Sequence, residues 1–332
     1  MTGLRWGILA TGGIAHAFTS DLRTAGLTVA AVGSRRAETA AEFAATFDIP
    51  HAHGSYEELV ADPDVDIVYV STPHSHHREN AVLALEHGKH VLVEKPFTLD
   101  ADEALVIRDI AAERGLLAME AMWTRYLPHM VRIRELVADG AIGEVRAVAA
   151  DHTQSLPTDP AHRINALELG GGALLDLGIY PVSFAWDLLG APDEVKAVGR
   201  LGETGADTEA AISFRHASGA VSSLVTSSRA AGPNRAEVIG TAGRISIDPV
   251  WYTPTSFRLH APDGTVREEF DGSVAGRGMQ YQALHAEELI AAGRTDSALL
   301  PLEESVAIMA CLDEIRAQLD VRYPVRREGA RR

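Results

Sequence analysis

A lysine stands where a strand pattern ends and a proline follows, in the run Glu94-Lys95-Pro96. Residues 90–94 are typical of a buried strand of a parallel sheet, so we expect Lys95 at the carboxyl edge, where ligand crevices form. A lysine in such a low-dielectric crevice can have a shifted pKa or hold a substrate hydroxyl group. Pro96 rigidifies the turn and permits a cis peptide bond. The alternative is a surface lysine that ends a strand.

A carboxylate and a phenol lie four residues apart in the second half of the chain, at Asp176 and Tyr180. On a helix both project from one face. Asp176 lies between two leucines, where an unpaired charge would be costly. Tyr180 can exchange a proton with an alcohol, and a nearby cation is expected to depress its pKa from about 10. Pro181 then removes a helical hydrogen bond. The alternative is an acid in the first helical turn followed by a packed tyrosine.

A glycine-rich turn follows the first strand pattern, in the run Ala10-Thr11-Gly12-Gly13-Ile14-Ala15. It fits the dinucleotide fingerprint G-x-G-x-x-G/A, with Ala10 in the first place. Gly12 lets the backbone approach a pyrophosphate, and the helix that follows presents free N–H groups to it. The turn therefore indicates a dinucleotide site, although a glycine-rich turn of another α/β protein would look similar.

The end of the second strand pattern discriminates between cofactors. An NAD site usually has Asp or Glu there, which binds the ribose 2′-hydroxyl group. This chain instead has Ser34, Arg35 and Arg36, with no acid before Glu38. A hydroxyl and two guanidinium groups suit a 2′-phosphate, so the sequence favours NADP(H), with NAD as the open alternative. The two arginines could also be a solvated helix start, although cations there oppose the helix dipole.

Histidines cluster on either side of the strand pattern at 67–71. His74, His76 and His77 follow this strand pattern, and His51 and His53 precede it. A metal site needs fixed geometry and acidic or thiolate neighbours, and neither an HExxH motif nor a cysteine cluster occurs. We therefore expect no metal.

The elements that must position these residues fall into two parts, 1–121 and 122–332. In the first, apolar runs alternate with helix-length segments, which predicts an α/β Rossmann domain with a doubly wound parallel sheet. We expect its strands at 6–10, 29–33, 67–71, 90–94 and 116–120. A helix over 100–114 is expected to be capped by Asp100 and to end at Gly115.

The second part has a different order of elements, with helices predicted at 129–139, 173–189, 279–292 and 303–319. Short strands are predicted at 144–154, 194–201, 208–214, 220–227, 236–240 and 244–247. The turns between them favour an α+β domain with an open, mostly antiparallel sheet. Residues 326–332 are expected to be a frayed tail.

Composition limits the partners. The 332 residues are 46% hydrophobic and 23% charged, and they carry a net charge of −16, which disfavours nucleic acid and anionic membranes. The single cysteine, Cys311, suits a reducing compartment and a buried helix face. No run of 18 apolar residues occurs, so we expect no membrane partner and a cytoplasmic protein.

Together these motifs resemble the Gfo/Idh/MocA oxidoreductases over essentially the whole chain. The resemblance rests on the glycine-rich turn, Glu94-Lys95-Pro96, the helix with Asp176 and Tyr180, and the run Val70-Ser71-Thr72-Pro73 followed by His77. Residues 171–180 and the run Met119-Glu120-Ala121-Met122-Trp123-Thr124-Arg125-Tyr126 are similar to one branch. That branch contains dimeric dihydrodiol dehydrogenase and NADP-dependent D-xylose dehydrogenase.

The resemblance implies roles for individual residues. Lys95 and Tyr180 would flank the substrate hydroxyl, and Asp176 would complete the catalytic group by holding the substrate or orienting Lys95. It leaves open whether Tyr180 or Lys95 is the principal acid/base. Substrate contacts are implied for Trp123, Arg125 and Arg163 besides Asp176 and Tyr180. Cofactor contacts are implied for Ser71, Thr72, Pro73, His77, Glu94, Lys95 and Pro96.

The sequence thus predicts an NADP(H)-dependent oxidoreductase that acts on a hydroxyl-bearing carbon of a sugar, a cyclic polyol or a trans-dihydrodiol. Two alternatives remain open, an NAD-dependent glycosidase on the same fold and a non-enzymatic ligand or cofactor sensor. The resemblance also implies a homodimer or homotetramer that associates through the outer face of the second domain's sheet.

Overall fold

The computed structural model describes residues 3–324, so the predicted tail at 326–332 lies outside the described residues. Within this range, one six-stranded sheet comes from the first part of the chain and one eight-stranded sheet from the second. The predicted combination of a doubly wound parallel sheet with a mostly antiparallel sheet is confirmed.

The first sheet has the strand order β3-β2-β1-β4-β5-β6, and all its pairs are parallel. Its strands are β1 (Arg5–Leu9), β2 (Thr28–Gly33), β3 (His51–His53), β4 (Ile67–Val70), β5 (His90–Glu94) and β6 (Ala118–Ala121). The helices between them are α1 (Gly13–Thr24), α2 (Ala37–Phe47), α3 (Tyr56–Ala61), α4 (His77–Glu86) and α5 (Ala101–Arg114). This order places a crevice at the carboxyl ends of β1 and β4, where the winding reverses.

Burial and capping explain the first sheet. Strand β4 is fully buried at all four residues, as expected for a strand covered by helices on both faces. Helix α5 begins after Asp100, whose side chain accepts the Glu103 N–H at 2.8 Å. It ends at Gly115, whose φ of 63° lies in the left-handed region, so both predicted caps are confirmed.

The second sheet has the order β14-β13-β12-β11-β7-β10-β9-β8, and β7 pairs parallel with β10 while the other pairs are antiparallel. Its strands are β7 (Val145–Thr153), β8 (Pro192–Leu201), β9 (Asp207–His216), β10 (Val221–Ser227), β11 (Ala236–Gly240), β12 (Gly243–Ile247), β13 (Phe257–His260) and β14 (Val266–Phe270). Strands β13 and β14 were not predicted from the sequence. The edge strand β14 carries charges in place of an alternating apolar pattern, and β13 has only four residues.

The helices of the second part are α6 (Pro128–Ala138), α7 (Ile179–Leu189), α8 (Gln280–Ala291) and α9 (Leu302–Leu319). The continuous helix predicted over 173–189 is wrong in one respect: Leu174–Gly178 forms a π-helical segment directly before α7. Residues 167–189 are long and apolar enough to cross a membrane, but 83% of the most apolar window is buried, as in a core helix. Cys311 on α9 is buried, as predicted.

Helices α8 and α9 pack back onto the first sheet. The Trp6 indole N–H donates to Glu287 Oε1 at 2.9 Å, and the Ala101 N–H donates to Asp313 Oδ2 at 2.9 Å. Each bond joins a residue before position 121 to a residue of the last two helices. The division at 121/122 therefore stays a prediction, although the two sheets lie on either side of it.

Candidate active site

The glycine-rich turn forms an open cradle after β1. Helix α1 begins at Gly13, and its N-cap residue Gly12 offers no side-chain cap, so the first N–H groups of the helix remain available. A Cβ atom at Gly12 or at Gly13 would meet no atom within 4 Å. These features fit a dinucleotide pyrophosphate, which helix N-termini bind through N–H groups and the helix dipole.

Ala10 takes the conformation that the first glycine of this fingerprint usually provides. Its φ is 84°, in the left-handed region, and its N–H donates to the Gly33 carbonyl at 3.0 Å. This bond fixes the turn against the end of β2. A non-glycine residue with positive φ carries strain of about 1–2 kcal/mol.

The loop after β2 presents both arginines to solvent. Arg35 and Arg36 are exposed, whereas Ser34 is buried and its hydroxyl lies 2.6 Å from Thr39 Oγ1. Arg36 is the N-cap residue of α2. Two guanidinium groups at this place fit a phosphate better than a ribose hydroxyl.

Buried hydrogen bonds hold the turn after β4. The Ser71 hydroxyl donates to the Leu9 carbonyl at 2.9 Å, Thr72 is buried and Pro73 is exposed. His77 has no exposed surface, and its ring nitrogens lie 2.9 Å from the carbonyl oxygens of Thr72 and Pro96. The expectation that His77 contacts the cofactor is therefore wrong. Burial lowers the pKa of His77 to about 4, so the neutral ring donates a hydrogen bond to one of these two carbonyl groups and packs between the β4 and β5 turns.

The run Glu94-Lys95-Pro96 ends β5 at the carboxyl edge, and the Lys95–Pro96 peptide bond is cis. The Glu94 carboxylate is buried, where it accepts hydrogen bonds from the Tyr69 hydroxyl and the Lys95 N–H. Burial raises the pKa of Glu94. Glu94 thus supports Lys95 from beneath, and its own contact with a cofactor stays a prediction, as do those of Ser71, Thr72, Pro73 and Pro96.

The Lys95 ammonium bridges the two parts of the chain. It donates to the Asp176 carbonyl at 2.7 Å and to Asp176 Oδ1 at 3.3 Å, and it lies 4.9 Å from the centre of the Tyr180 ring. Its side chain is 12% exposed. Burial acts to lower the pKa of Lys95, but the negative charges of Tyr180, when ionised, Asp176 and Glu94 outweigh burial and raise it. Lys95 is therefore charged at neutral pH.

Asp176 pairs with the two cations of the crevice, Lys95 and Arg163, and lies near the neutral ring of His74, whose pKa burial lowers to about 3. Arg163 holds it with two parallel bonds, Nη1 to Oδ1 at 3.1 Å and Nη2 to Oδ2 at 3.2 Å, and His74 Nε2 lies 3.7 Å from Oδ1. Burial alone would raise the pKa of Asp176, but Lys95 and Arg163 hold it far below its usual range. The buried carboxylate is thus ionised and paired. The pairing offsets the free-energy cost of burying its charge between two leucines.

Pro181 helps to explain why Lys95 finds a backbone acceptor. Pro181 has no N–H, so it cannot pair with the carbonyl four residues back at Leu177 or five residues back at Asp176. The Asp176 carbonyl instead accepts the Lys95 ammonium. Pro181 therefore removes one backbone donor that could compete with Lys95 for the Asp176 carbonyl.

Tyr180 faces the same crevice. Its oxygen accepts the Trp123 indole N–H at 3.0 Å, and among residues 3–324 we find no acceptor for its own hydrogen, so this hydrogen can point to a substrate. The expectation of a depressed pKa is wrong: burial raises the pKa of Tyr180 above its ordinary value of 10, and this outweighs the opposing effect of the Lys95 ammonium. Tyr180 is therefore a hydrogen donor at neutral pH.

Several residues of the site were missed by the sequence analysis. The His152 ring lies 4.9 Å from the Tyr180 ring and stacks on Tyr252 at 3.7 Å, and Gln154 Nε2 lies 2.9 Å from His152 Nε2. Burial lowers the pKa of His152 to about 3, so the ring is neutral. His152 lies on β7 and Gln154 directly follows that strand, and their spacing of two residues could have indicated a shared face. No motif connects the strand with Lys95.

Arg125 is not part of the crevice, although the sequence placed it with Trp123. Its side chain is 4% exposed, and Nη1 lies 2.7 Å from Glu304 Oε1 and 3.6 Å from Asp187 Oδ1. Nε donates to the Ser183 hydroxyl at 2.9 Å. The expectation that Arg125 binds substrate is therefore wrong, since its guanidinium ties α7 and α9 together inside the protein.

The remaining predicted residues converge. The ammonium of Lys95, the hydroxyl of Tyr180 and the carboxylate of Asp176 lie together, with Arg163 beside them and Trp123 behind Tyr180. Two donors that stay protonated at neutral pH can bind one substrate oxygen and transfer a proton to it. The cradle after β1 lies at the same carboxyl edge of the sheet.

Comparisons with known proteins identify the family of this chain. Residues 4–122 match the model of the oxidoreductase family with an NAD-binding Rossmann fold, and residues 130–246 match that of the GFO/IDH/MocA C-terminal domain. The chain is 37% identical to the trans-1,2-dihydrobenzene-1,2-diol dehydrogenase of Mus musculus, over 97% of this chain and 98% of the relative. It is 39% identical to the D-xylose 1-dehydrogenase (NADP(+)) of Hypocrea jecorina, over 97% and 93%.

Solved structures give the same result. The aldose-aldose oxidoreductase from Caulobacter crescentus superposes with a TM-score of 0.87 at 26% identity, over 96% of this chain and 98% of the other. A 3-ketoreductase from Actinomadura kijaniata, in complex with NADP and TDP-benzene, has a TM-score of 0.85 at 29% identity over the same shares. The chain is an oxidoreductase with a Rossmann domain that binds NAD(P), and it belongs to the GFO/IDH/MocA family.

Proposed function

We propose that this chain is an NADP(H)-dependent oxidoreductase that acts on the hydroxyl-bearing carbon of a sugar, a cyclic polyol or a trans-dihydrodiol. The observation that carries the proposal is the convergence of the Lys95 ammonium and the Tyr180 hydroxyl beside Asp176, at the carboxyl edge of the parallel sheet. When bound, NADP(H) supplies or receives the hydride, and the residues of the chain handle the proton.

The raised pKa values define what these residues do. Tyr180 and Lys95 both hold their protons at neutral pH, so they donate hydrogen bonds to a substrate oxygen. In reduction Tyr180 Oη gives its proton to that oxygen, while the ammonium of Lys95 stabilises the negative charge that develops there. In oxidation the proton moves the other way, which becomes easier as pH rises. Asp176 holds the ammonium in place through its carbonyl group and its carboxylate.

The preference for NADP(H) over NAD(H) rests on the loop after β2. Arg35 and Arg36 are exposed, and no acid precedes Glu38 in this loop. The ribose 2′-phosphate of NADP(H) can take charge-assisted bonds from both guanidinium groups, whereas the 2′-hydroxyl of NAD(H) cannot. The xylose dehydrogenase relative carries NADP(+) in its name, which supports the same choice.

The substrate class is supported by the aromatic wall of the crevice. Trp123, Tyr180, Tyr252 and the His152 ring lie next to one another, with Tyr180 and Tyr252 5.3 Å apart. Such a wall suits the apolar face of a ring whose edge carries hydroxyl groups. The substrates in the names of two relatives, a dihydrobenzene diol and D-xylose, both have a ring that carries hydroxyl groups.

A homodimer or homotetramer through the outer face of the second sheet is also part of the proposal. Val198, Val221 and Val225 are 72%, 50% and 43% exposed on this face. Val198 and Val225 both pair with Ala211 across β9, which forms an apolar row over three strands. Such a row on a sheet face favours association with a second copy. Light scattering of Val198→Lys/Val225→Lys against the unaltered chain tests this, and an unchanged mass would contradict it.

A cytoplasmic location and the lack of nucleic-acid and membrane partners remain proposals. The net charge of −16 and the free, buried Cys311 support them.

The experiment for the central activity is a screen of aldoses, cyclic polyols and trans-dihydrodiols with NADP⁺ and NAD⁺, followed by the absorbance of the reduced cofactor. We expect turnover of at least one class with a kcat/KM for NADP⁺ at least about tenfold above that for NAD⁺, because two charge-assisted bonds are at stake. Turnover with NAD⁺ alone would overturn the cofactor assignment. A lack of turnover with every class, while NADPH binds, would overturn the activity.

A further inference from the structure

Two histidines and one aspartate come together at the outer edge of the first sheet, away from Lys95 and Tyr180. His51 and His53 lie on the edge strand β3, and Asp62 directly follows α3. Residues two apart on a strand project from the same face, so both rings reach Asp62. His51 Nδ1 and His53 Nε2 lie 2.7 and 2.8 Å from the same carboxylate oxygen, Oδ2.

The sequence predicts no metal, because neither an HExxH motif nor a cysteine cluster occurs. The fold supplies an acidic neighbour, since α3 returns Asp62 to the strand from nine residues further along the chain. The three ligand atoms lie within 4.8 Å of one another. We propose that His51, His53 and Asp62 bind one divalent transition-metal ion of the zinc type. This site goes beyond the proposed oxidoreductase activity.

The donor set determines the class of ion. Two imidazole nitrogens and one carboxylate oxygen suit Zn²⁺, Co²⁺ or Ni²⁺, whereas Mg²⁺ and Ca²⁺ prefer oxygen ligands. At metal–ligand distances of about 2.0–2.2 Å, neighbouring ligand atoms of a tetrahedral site lie about 3.3 Å apart. Each nitrogen therefore needs to move away from Asp62 Oδ2 by about 0.6 Å, and the two nitrogens need to lie at a similar distance of about 3.3 Å from each other. Water completes the fourth position.

The surroundings hold the ligands without blocking them. The other carboxylate oxygen of Asp62, Oδ1, accepts the Asp64 N–H at 2.8 Å, and the Asp62 carbonyl accepts the Lys89 ammonium at 2.8 Å. The side chains of His51 and His53 are 39% and 23% exposed, so an ion can enter from solvent. Both rings bind a metal in the neutral form after a change of tautomer, which places the His51 Nε2–H opposite Asp64 Oδ2 at 4.0 Å.

We expect the bound ion to stabilise the contact between the short strand β3 and the end of helix α3. Strand β3 has three residues and only one neighbour, β2, and the His53 carbonyl accepts the Ser34 N–H at 3.1 Å. An ion bound by β3 and Asp62 binds the folded state alone and raises the Tm with concentration. Because the site shares no residue with the catalytic cluster, the turnover number should not change.

The test uses the full, untagged chain after removal of metal with EDTA and dialysis. Titration with Co²⁺ should give the visible absorption bands of a tetrahedral nitrogen and oxygen site at one ion per chain, and Zn²⁺ should displace Co²⁺. Saturating Zn²⁺ should raise the Tm by about 5 °C. The proposal would be overturned if the unaltered chain showed neither the Co²⁺ absorption bands nor stoichiometric Zn²⁺ binding by calorimetry.

Variants then locate the site. In His51→Gln/His53→Gln the amides can still donate to Asp62, so the metal-free variant should keep its Tm while Co²⁺ affinity falls at least about tenfold. His87→Gln, which changes an exposed histidine of the same domain, should bind as the unaltered chain does. Equal Co²⁺ binding by the double variant would show an adventitious ion only and would overturn the assignment.

Discussion

The two halves of the active site are built by different means. The cofactor half consists of exposed backbone at Gly12 and Gly13 and of exposed guanidinium groups at Arg35 and Arg36. The substrate half consists of buried side chains, since Asp176 and Tyr180 are 5% and 7% exposed. Solvent screens charges in the first half, and the low dielectric constant of the interior strengthens them in the second.

This difference predicts different responses to substitution. Changes in the exposed cofactor half should alter the affinity for one ligand and add independently. Changes in the buried half remove one partner of a charge network, so they should reduce turnover strongly and be coupled to one another. Four predictions test this contrast.

The largest effect is expected for Lys95→Met, which keeps most of the stem but removes the ammonium. The kcat should fall by roughly 10² or more, because both the oxyanion partner and the partner of Asp176 are lost. Steady-state kinetics measure this. Lys196→Met is the matched control, since that lysine is 73% exposed on β8, and it should leave kcat unchanged. Near-native turnover of Lys95→Met would mean that Lys95 only ends a strand.

Tyr180→Phe should come next, because the ring stays and only the hydroxyl is lost. With the pKa of Tyr180 above 10, oxidation by the unaltered chain should still rise with pH at 10, and reduction should be flat through neutral pH. The variant should lose roughly 10² in kcat and show no such rise. Tyr281→Phe on α8 serves as the control. If Tyr180→Phe keeps both kcat and the pH profile, Lys95 alone is the acid/base.

Replacement of both loop arginines, Arg35→Ala/Arg36→Ala, should have a smaller and more selective effect. Loss of one or two charge-assisted bonds of about 1.5–3 kcal/mol each should raise the KM for NADP⁺ at least about tenfold. The KM for NAD⁺ should change little, since NAD⁺ has no 2′-phosphate. An equal rise for both cofactors would contradict the assignment.

The smallest effect is expected at Ala10, whose φ is 84°. Ala10→Gly relieves strain of about 1–2 kcal/mol, but it also increases the conformational entropy of the unfolded chain. The free energy of unfolding should therefore rise by only about 0.5 kcal/mol. Ala17→Gly inside α1 makes the same chemical change without that strain, and it should lower the free energy of unfolding by about 1 kcal/mol. Denaturant unfolding measures both. A loss of stability for Ala10→Gly would contradict the strain at this turn.

The same contrast explains how much the sequence predicts. The parallel sheet, the cradle at Gly12 and the position of Lys95 follow from local patterns, because backbone turns and buried strands have short-range signatures. The environment of Asp176 does not, since Lys95, Arg163 and His74 reach it from three separate segments. A local pattern carries no measure of burial, so the direction expected for the pKa of Tyr180 was wrong. The resemblance carries none either, and it assigned the buried side chains of Arg125 and His77 to ligands.

The most direct test of this account is the affinity for NADPH, measured by fluorescence titration in Lys95→Met/Tyr180→Phe beside its turnover. The account predicts a Kd within about twofold of the unaltered chain, together with loss of turnover, because the exposed cradle and arginines bind the cofactor without the buried cluster. A Kd raised tenfold or more, in a variant whose Tm is unchanged, would show that the two halves are one site and would contradict the account.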